Sequence, residues 1–119
     1  MKYTKDHEWL RVEGDLVVVG ITEHAASQLG DVVFVELPES DAMVQAGDEV
    51  CVIESVKAAS DILAPVDGEI VAVNDKLADQ PGLVNEDPTG RAWFFKMRVT
   101  DLSVLDEFMD EGEYAEMIG

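Results

Sequence analysis

The feature that most constrains the fold is a series of short apolar runs rich in β-branched residues. Six runs share this pattern, at residues 16–19, 32–37, 50–53, 62–64, 70–73 and 93–99. β-Branched side chains have few rotamers and pack well on a pleated sheet, so each run predicts a strand. Gly, Pro and Asp separate the runs and predict tight turns. Many short strands at this spacing predict a mainly β protein, a small sandwich or barrel.

Two other stretches have helical patterns. Thr22 is a suitable N-cap for residues 23–29, which are good helix formers and end at a glycine. Near the C-terminus, apolar residues recur at helical spacing, Ser103 and Asp106 resemble a capping box, and Gly112 interrupts the segment. We therefore expect a short helix at 23–29 and two short helical pieces at the C-terminus.

Length and composition predict a single domain spanning residues 1–119. Hydrophobic residues make up 47% of the chain, and no linker or low-complexity segment divides it. No apolar run approaches the roughly 20 residues that cross a bilayer, and the N-terminus lacks the order of a signal peptide. We expect a bacterial or archaeal cytoplasmic protein, with a processed mitochondrial protein as the alternative.

The charge balance limits the partners. The chain has 26 acidic residues against 8 Lys and Arg, a formal net charge of −18. Nucleic acid and anionic membranes are poor partners for such a surface because like charges repel. We expect partners that are neutral or basic at the contact.

Several residue types that often carry chemistry favour structural roles here. Cys51 is the only cysteine and lies in an apolar run, which predicts a small buried side chain. His7 and His24 have no partner at metal-ligand spacing, and we interpret them as structural. Trp9 and Trp93 are predicted core aromatics. No pattern in the sequence indicates a metal site, a catalytic triad or a phosphate-binding loop.

One lysine stands out by its position. Lys57 is the only Lys or Arg between Arg11 and Lys76. It lies between the predicted strands at 50–53 and 62–64, so it should be near the tip of a hairpin that projects into solvent.

Two interpretations of Lys57 are open at this stage. It can be an ordinary surface lysine paired with Glu54 or Asp61, an arrangement typically contributing about 0–1 kcal/mol. Alternatively it is an attachment site, because the small residues Ala58 and Ala59 leave the amine accessible to a modifying enzyme.

The segments around Lys57 resemble a known family. Residues 54–61 (ESVKAASD) and 64–70 (APVDGEI) are similar to the lipoyl attachment region of glycine cleavage H proteins. Further segments resemble the family in the same order: 7–10 (HEWL), 19–25 (VGITEHA), 29–38 (LGDVVFVELP) and 83–85 (LVN). The resemblance covers nearly the whole chain. It implies a barrel-sandwich hybrid, the fold of lipoyl and biotinyl carriers, with a C-terminal helical extension.

Related carriers fit less well. Biotin carriers have Met on both sides of the modified lysine, whereas this chain has Val56 and Ala58. Lipoyl domains of 2-oxo acid dehydrogenases usually place Asp before the lysine and lack the C-terminal extension. The chain departs from the H-protein pattern at residues 88–93, where PTGRAW replaces the common Pro-Tyr-Gly-x-Gly-Trp. This departure bears on partner docking at that loop more than on the fold or on Lys57.

The resemblance implies a carrier that is not itself an enzyme. It implies that lipoate is joined to Lys57 as an amide and accepts the aminomethyl group of glycine from a pyridoxal-phosphate-dependent glycine decarboxylase, the P protein. It passes this group to a tetrahydrofolate-dependent aminomethyltransferase, the T protein, and dihydrolipoamide dehydrogenase, the L protein, reoxidises the arm. A lipoate ligase or lipoyl transferase attaches the group, and the carrier is expected to be a monomer.

The resemblance also nominates three carboxylates near the loaded arm, Glu8, Asp61 and, more weakly, Asp6. Each could equally be a surface acid, since the chain has many. Two other functions use the same sequence features. One is a lipoyl relay that supplies lipoate to other carriers, and the other is a binding module whose Lys57 is never modified.

Overall fold

The computed structural model describes residues 1–119, which form nine strands, four α-helices and one 3₁₀ helix. The strands are β1 (Lys2–Tyr3), β2 (Glu8–Glu13), β3 (Leu16–Ile21), β4 (Val32–Glu36), β5 (Met43–Val44), β6 (Glu49–Ser55), β7 (Ala59–Leu63), β8 (Gly68–Val73) and β9 (Phe95–Arg98). The α-helices are α1 (Glu23–Leu29), α2 (Lys76–Asp79), α3 (Leu83–Glu86) and α4 (Glu111–Ile118), and the 3₁₀ helix spans Leu102–Glu107.

The strands are divided between two antiparallel sheets. The larger has the order β1-β2-β3-β9-β8-β5 and the smaller the order β4-β6-β7. The fold is mainly β with short helices and is not a closed barrel, so the predicted class is confirmed. All six apolar runs coincide with strands, although β9 begins two residues after the predicted start at Trp93. Helix α1 has the predicted bounds, and the Thr22 hydroxyl accepts a hydrogen bond from the Ala25 N–H at 3.2 Å.

Sequence analysis did not predict three strands, β1, β2 and β5, or two helices, α2 and α3. Strand β2 (EWLRVE) is half charged, and its first three residues are all buried, so it lacks the alternation that marks a half-buried strand. Its pairing with β3 over six residues defines it instead. The strands β1 and β5 have two residues each, and α2 and α3 are single turns, so none is long enough to show a period.

The C-terminal region is two helical pieces, as predicted, but with different boundaries. The capping box predicted at Ser103 and Asp106 is wrong. It is formed by Asp110 and Glu113, whose side chains each accept from the other's backbone N–H at 2.8 and 3.1 Å. Gly112 lies inside α4 and does not interrupt it, because the cap at Asp110 starts the helix at Glu111, one residue before the glycine.

Both sheets contribute to one core of 19 buried residues. Trp9 is fully buried as predicted, and it packs on its cross-strand partner Gly20, where any Cβ would overlap the indole ring. Trp93 is not a core residue: it is half-buried, and the Lys96 Nζ lies 4.9 Å from its ring centre. Cys51 is 1% exposed, which confirms its predicted burial, and the loss of hydration raises the pKa of its thiol.

The loop at 88–93, where the sequence departs from the H-protein pattern, is closed by hydrogen bonds to Asp87. The Asp87 carboxylate accepts from the Arg91 N–H at 2.9 Å, and its backbone carbonyl accepts from the Ala92 N–H at 3.1 Å. Ala92 is fully buried, and the Pro88 carbonyl accepts from the Trp9 indole N–H at 2.9 Å. The loop is thus tied to the core at Trp9.

Candidate functional site

Lys57 lies at the tip of the hairpin between β6 and β7, as predicted. The strands pair up to Glu54 and Ala59. The Ser55 N–H and hydroxyl both donate to the Ala58 carbonyl, at 2.8 and 3.1 Å. The same hydroxyl oxygen accepts from the Lys57 and Ala58 N–H groups, at 3.2 and 3.1 Å. Because Ser55 satisfies the turn backbone, the tip is ordered while its lysine remains exposed.

The Lys57 amine has no ion-pair partner. The three ion pairs of the protein join Arg91 to Asp87, Lys96 to Glu13 and Arg98 to Glu69. The pairing of Lys57 with Glu54 or Asp61 that would make it an ordinary surface lysine is therefore not formed.

The stem of Lys57 lies against Gly30, the residue that follows α1. A Cβ on Gly30 would be 3.2 Å from the Lys57 Cε and 3.7 Å from its Nζ. Gly30 also has a φ of +74°, a conformation that other residues rarely adopt. The backbone conformation requires glycine here, and the absence of a side chain lets the lysine stem lie close to it.

Asn85 fixes the segment on which Lys57 rests. Its side-chain amide donates to the Gly30 carbonyl at 2.7 Å and accepts from the Val32 N–H at 2.9 Å. The intervening Asp31 carbonyl accepts from the Val56 N–H at 3.0 Å. The tip of the hairpin is thereby connected to the body of the protein through residues far apart in sequence.

A cleft of about 170 Å³ begins beside this segment and brings together the three predicted carboxylates. It is bounded by the start of β2, the end of β3, α1 and the strands β6 and β7. Its lining residues are Asp6, His7, Glu8, Ile21, Ala25, Gln28, Leu29, Ile53, Ser60, Asp61 and Ile62. Leu29 of this lining directly precedes Gly30, so the cleft adjoins the residue that the lysine stem contacts.

Glu8 is the buried carboxylate of the cleft, at 3% exposure. One oxygen accepts from the Leu63 N–H at 3.1 Å and the other from the Thr4 hydroxyl at 3.2 Å. Burial is the main cause that raises the pKa of Glu8 to about 7; the two hydrogen bonds lower the pKa and nearby Asp6 raises it slightly, and about 7 is the combined result. A carboxyl with this pKa can accept or release a proton near neutral pH.

Asp6 and Asp61 are exposed at the mouth of the cleft. A larger cavity of about 560 Å³ lies on the other side of Glu8 and also includes Asp6. It contains neither Asp61 nor any residue of α1, so the smaller cleft is the one that groups the three predicted carboxylates, next to α1.

Sequence analysis did not predict the contact between two residues of this neighbourhood, His7 and Tyr114. His7 lines the cleft in a left-handed conformation with φ of 67°, and its Nδ1 lies 2.8 Å from the Tyr114 hydroxyl of α4. Burial lowers the pKa of His7, and His24, whose ring centre is 4.8 Å away, lowers it further. Tyr114 is 107 positions from His7, so no local pattern could reveal the contact.

The arrangement joins an exposed primary amine to a small cleft with one buried and two exposed carboxylates. It can present a group attached to the lysine to solvent, and the acids of the cleft can bind a cation. No three His, Cys, Asp or Glu side chains lie close enough together to hold a metal ion.

A sequence model described as glycine cleavage H-protein matches residues 1–119. The chain belongs to the glycine cleavage H-protein family. It is 56% identical to the glycine cleavage system H protein of Beijerinckia indica over 117 residues, which cover 98% of this chain and 94% of the relative. It is also 56% identical to the H protein of Escherichia coli over 119 residues, covering 99% and 92%.

A solved structure leads to the same family. The crystal structure of a glycine cleavage system H protein from Mycobacterium marinum superimposes with a TM-score of 0.89 at 40% identity, covering 99% of this chain and 95% of that one. H proteins are non-catalytic lipoyl carriers of the glycine cleavage system, and the chain has this role. No helix is long and apolar enough to span a membrane.

Proposed function

We propose that the lipoyl group is attached to Lys57 as an amide of its Nζ. The observation that carries this proposal is the exposed, unpaired lysine at the tip of an ordered hairpin. The residues around it fit such a group, since Gly30 leaves room for the lysine stem and the hydrogen bonds of Asn85 fix the support beneath it.

The three carboxylates are proposed to shelter the cargo. When bound, the lipoyl group supplies a disulfide that accepts the aminomethyl group of glycine and is later reoxidised. The cargo ends in an amine that is cationic near neutral pH. Glu8, buried between two sheets, would bind this cation away from water, and Asp61 and Asp6 would attract it at the mouth of the cleft.

The proposed partners are those that the carrier must visit in turn. They are the pyridoxal-phosphate-dependent glycine decarboxylase, the tetrahydrofolate-dependent aminomethyltransferase, dihydrolipoamide dehydrogenase, and the lipoate ligase or lipoyl transferase that loads Lys57. A net charge of −18 supports contacts that are neutral or basic on the partner's side. We propose that the carrier works as a monomer, and that it is cytoplasmic, as the bacterial origin of its relatives supports.

A reconstituted glycine cleavage assay tests this function. The lipoate-treated protein is expected to support tetrahydrofolate-dependent glycine turnover by the other three components, and Lys57→Arg, treated in the same way, should support none. If the lipoylated protein left glycine unconsumed but transferred lipoate to a second carrier, the lipoyl relay would replace this proposal. The Lys57→Arg variant keeps the charge and the stem, so its failure would reflect the loss of the acceptor amine.

A further inference from the structure

A β-bulge exposes two apolar side chains on the strand next to the lysine hairpin. In the pairing of β4 with β6, Val32 is opposite Ser55 and Phe34 is opposite Glu54, which leaves Val33 as an extra residue. The side chains of Val33 and Phe34 are 55% and 47% exposed. A bulge locally disrupts the alternation of a strand, so these neighbours are both exposed while Val32 and Val35 remain buried.

A third apolar side chain joins this pair at the lysine. Val56 directly precedes Lys57 and is 67% exposed, and its N–H donates to the Asp31 carbonyl just before β4. We call Val33, Phe34 and Val56 the apolar patch. The register places Phe34 opposite Glu54, and Val56 follows Glu54 by two positions, in the turn just beyond β6. Contiguous exposed apolar residues on a charged protein typically mark an interaction surface.

The rim of the apolar patch is acidic. Asp31, Glu36 and Glu54 are exposed around it, and Lys57 is the only Lys or Arg between Arg11 and Lys76. A matching partner surface therefore needs apolar side chains at its centre and Lys or Arg at its edge.

The position beside Lys57 selects one partner among those of the proposed function. Acyl transfer to the lysine requires its Nζ to approach the acyl carbon to about 3–3.5 Å, so the attaching enzyme must cover the residues next to it. The deprotonated Nζ forms the amide C–N bond while the acyl C–O bond to AMP of a lipoyl adenylate breaks, and the amine proton passes to solvent. The other partners act at the far end of the arm and have no such requirement.

We propose that the apolar patch is the docking surface for the enzyme that attaches lipoate to Lys57. This proposal rests on the proposed function, because it needs Lys57 to be the acceptor.

The test measures lipoate transfer by a purified lipoate–protein ligase with lipoate and ATP, over a range of carrier concentrations. For Phe34→Ser, we expect the KM for the carrier to rise at least tenfold while kcat stays within twofold of wild type, because docking is weakened and the acceptor amine is intact. Met43→Ser is the matched control: Met43 is 76% exposed on β5 of the other sheet and should leave KM within twofold of wild type. If the KM of the wild-type carrier also rises with salt, the acidic rim contributes to docking, because salt screens attraction between opposite charges.

A second variant guards against misfolding. Val56→Ser changes a turn residue whose backbone bonds are kept, so it should raise KM without lowering the Tm even if Phe34→Ser lowers it. Transfer to Lys57 with wild-type KM in folded Val56→Ser and Phe34→Ser would overturn the docking proposal and leave the proposed function standing. No transfer to wild-type protein, while an established carrier is modified in parallel, would overturn both.

Discussion

Glu8 occupies the point where the two sheets meet, at the end of β7 away from Lys57. It belongs to β2 of the larger sheet, and its carboxylate accepts from the Leu63 N–H of β7 in the smaller one. Sequence analysis selected Glu8 only by resemblance, since its partner is 55 residues away and nothing local distinguishes it from the other acids. Lys57 is different, because its isolation among acidic and small residues is visible in the sequence itself.

The raised pKa of Glu8 predicts a pH-dependent contribution to stability. The folded protein holds a proton on Glu8 up to about pH 7, whereas the unfolded chain releases it near its ordinary pKa of 4.5. The contribution is therefore fully present below about pH 4.5 and is lost as pH rises through 7, a change of roughly 3 kcal/mol. Denaturant unfolding from pH 4.5 to 8 should show wild type losing stability relative to Glu8→Gln. Parallel curves for the two proteins would contradict the assigned pKa.

The sheltering role of Glu8 predicts a shorter lifetime for the loaded carrier. At about pH 8, where Glu8 is ionised, Glu8→Gln removes the buried charge and should speed the decay of the aminomethyl-loaded form about tenfold, through the loss of one charge-assisted hydrogen bond. Mass spectrometry of the loaded protein over time measures this decay. Asp15→Asn, which removes an exposed carboxylate at the β2–β3 turn outside the cleft, is the control and should decay like wild type. Equal lifetimes for Glu8→Gln and wild type would remove Glu8 from this role.

At the scale of elements, the local sequence pattern predicted the hairpin that carries Lys57 but not the hydrogen bonds of Asn85 that hold the neighbouring segment in place. The strand β6 has the β-branched residues Val50, Val52 and Ile53, β7 has Ile62, and the short connection between the predicted strands favours a hairpin. The hydrogen bonds of Asn85 to Gly30 and Val32 depend on how α3 packs near α1, which no local pattern encodes. The elements α2, α3 and β5 were not predicted for a different reason: each is too short to show a helical or strand period in the sequence.

Asn85 is therefore predicted to control the order of the hairpin tip. Asn85→Ala removes two hydrogen bonds and should lower the free energy of unfolding by about 1–3 kcal/mol. Hydrogen exchange should also quicken at the Val56 amide, which is held by the intervening Asp31 carbonyl. The amide of Val18, inside β3, is the internal control and should change only as much as global stability does. Unchanged relative protection at Val56 would show that Asn85 does not support the tip.

At the scale of the whole molecule, the acidic surface is the dominant physical property. Resemblance predicted the architecture, and the β-branched runs supplied most of its strands. The division of those strands into sheets of six and three could not be read from the sequence, because long-range pairings such as β3 with β9 determine it. Composition did predict the charge that every partner encounters.

A net charge of −18 predicts that salt stabilises the fold. Repulsion among 26 acids opposes compaction, and added salt screens it, so the Tm should rise as NaCl increases from about 0.01 to 0.15 M, where the Debye length shortens from about 30 to 8 Å. Thermal melts at fixed pH measure this rise. A Tm that fell over this range would mean that attractive pairs outweigh the repulsion.

The most direct test of the account is peptide mass analysis over residue 57 after incubation with lipoate, ATP and lipoate ligase. The account predicts one lipoyl mass, located on Lys57 and absent from Lys57→Arg treated in parallel. An unmodified Lys57 in a reaction that labels an established carrier would contradict the assignment of this lysine as the lipoyl site.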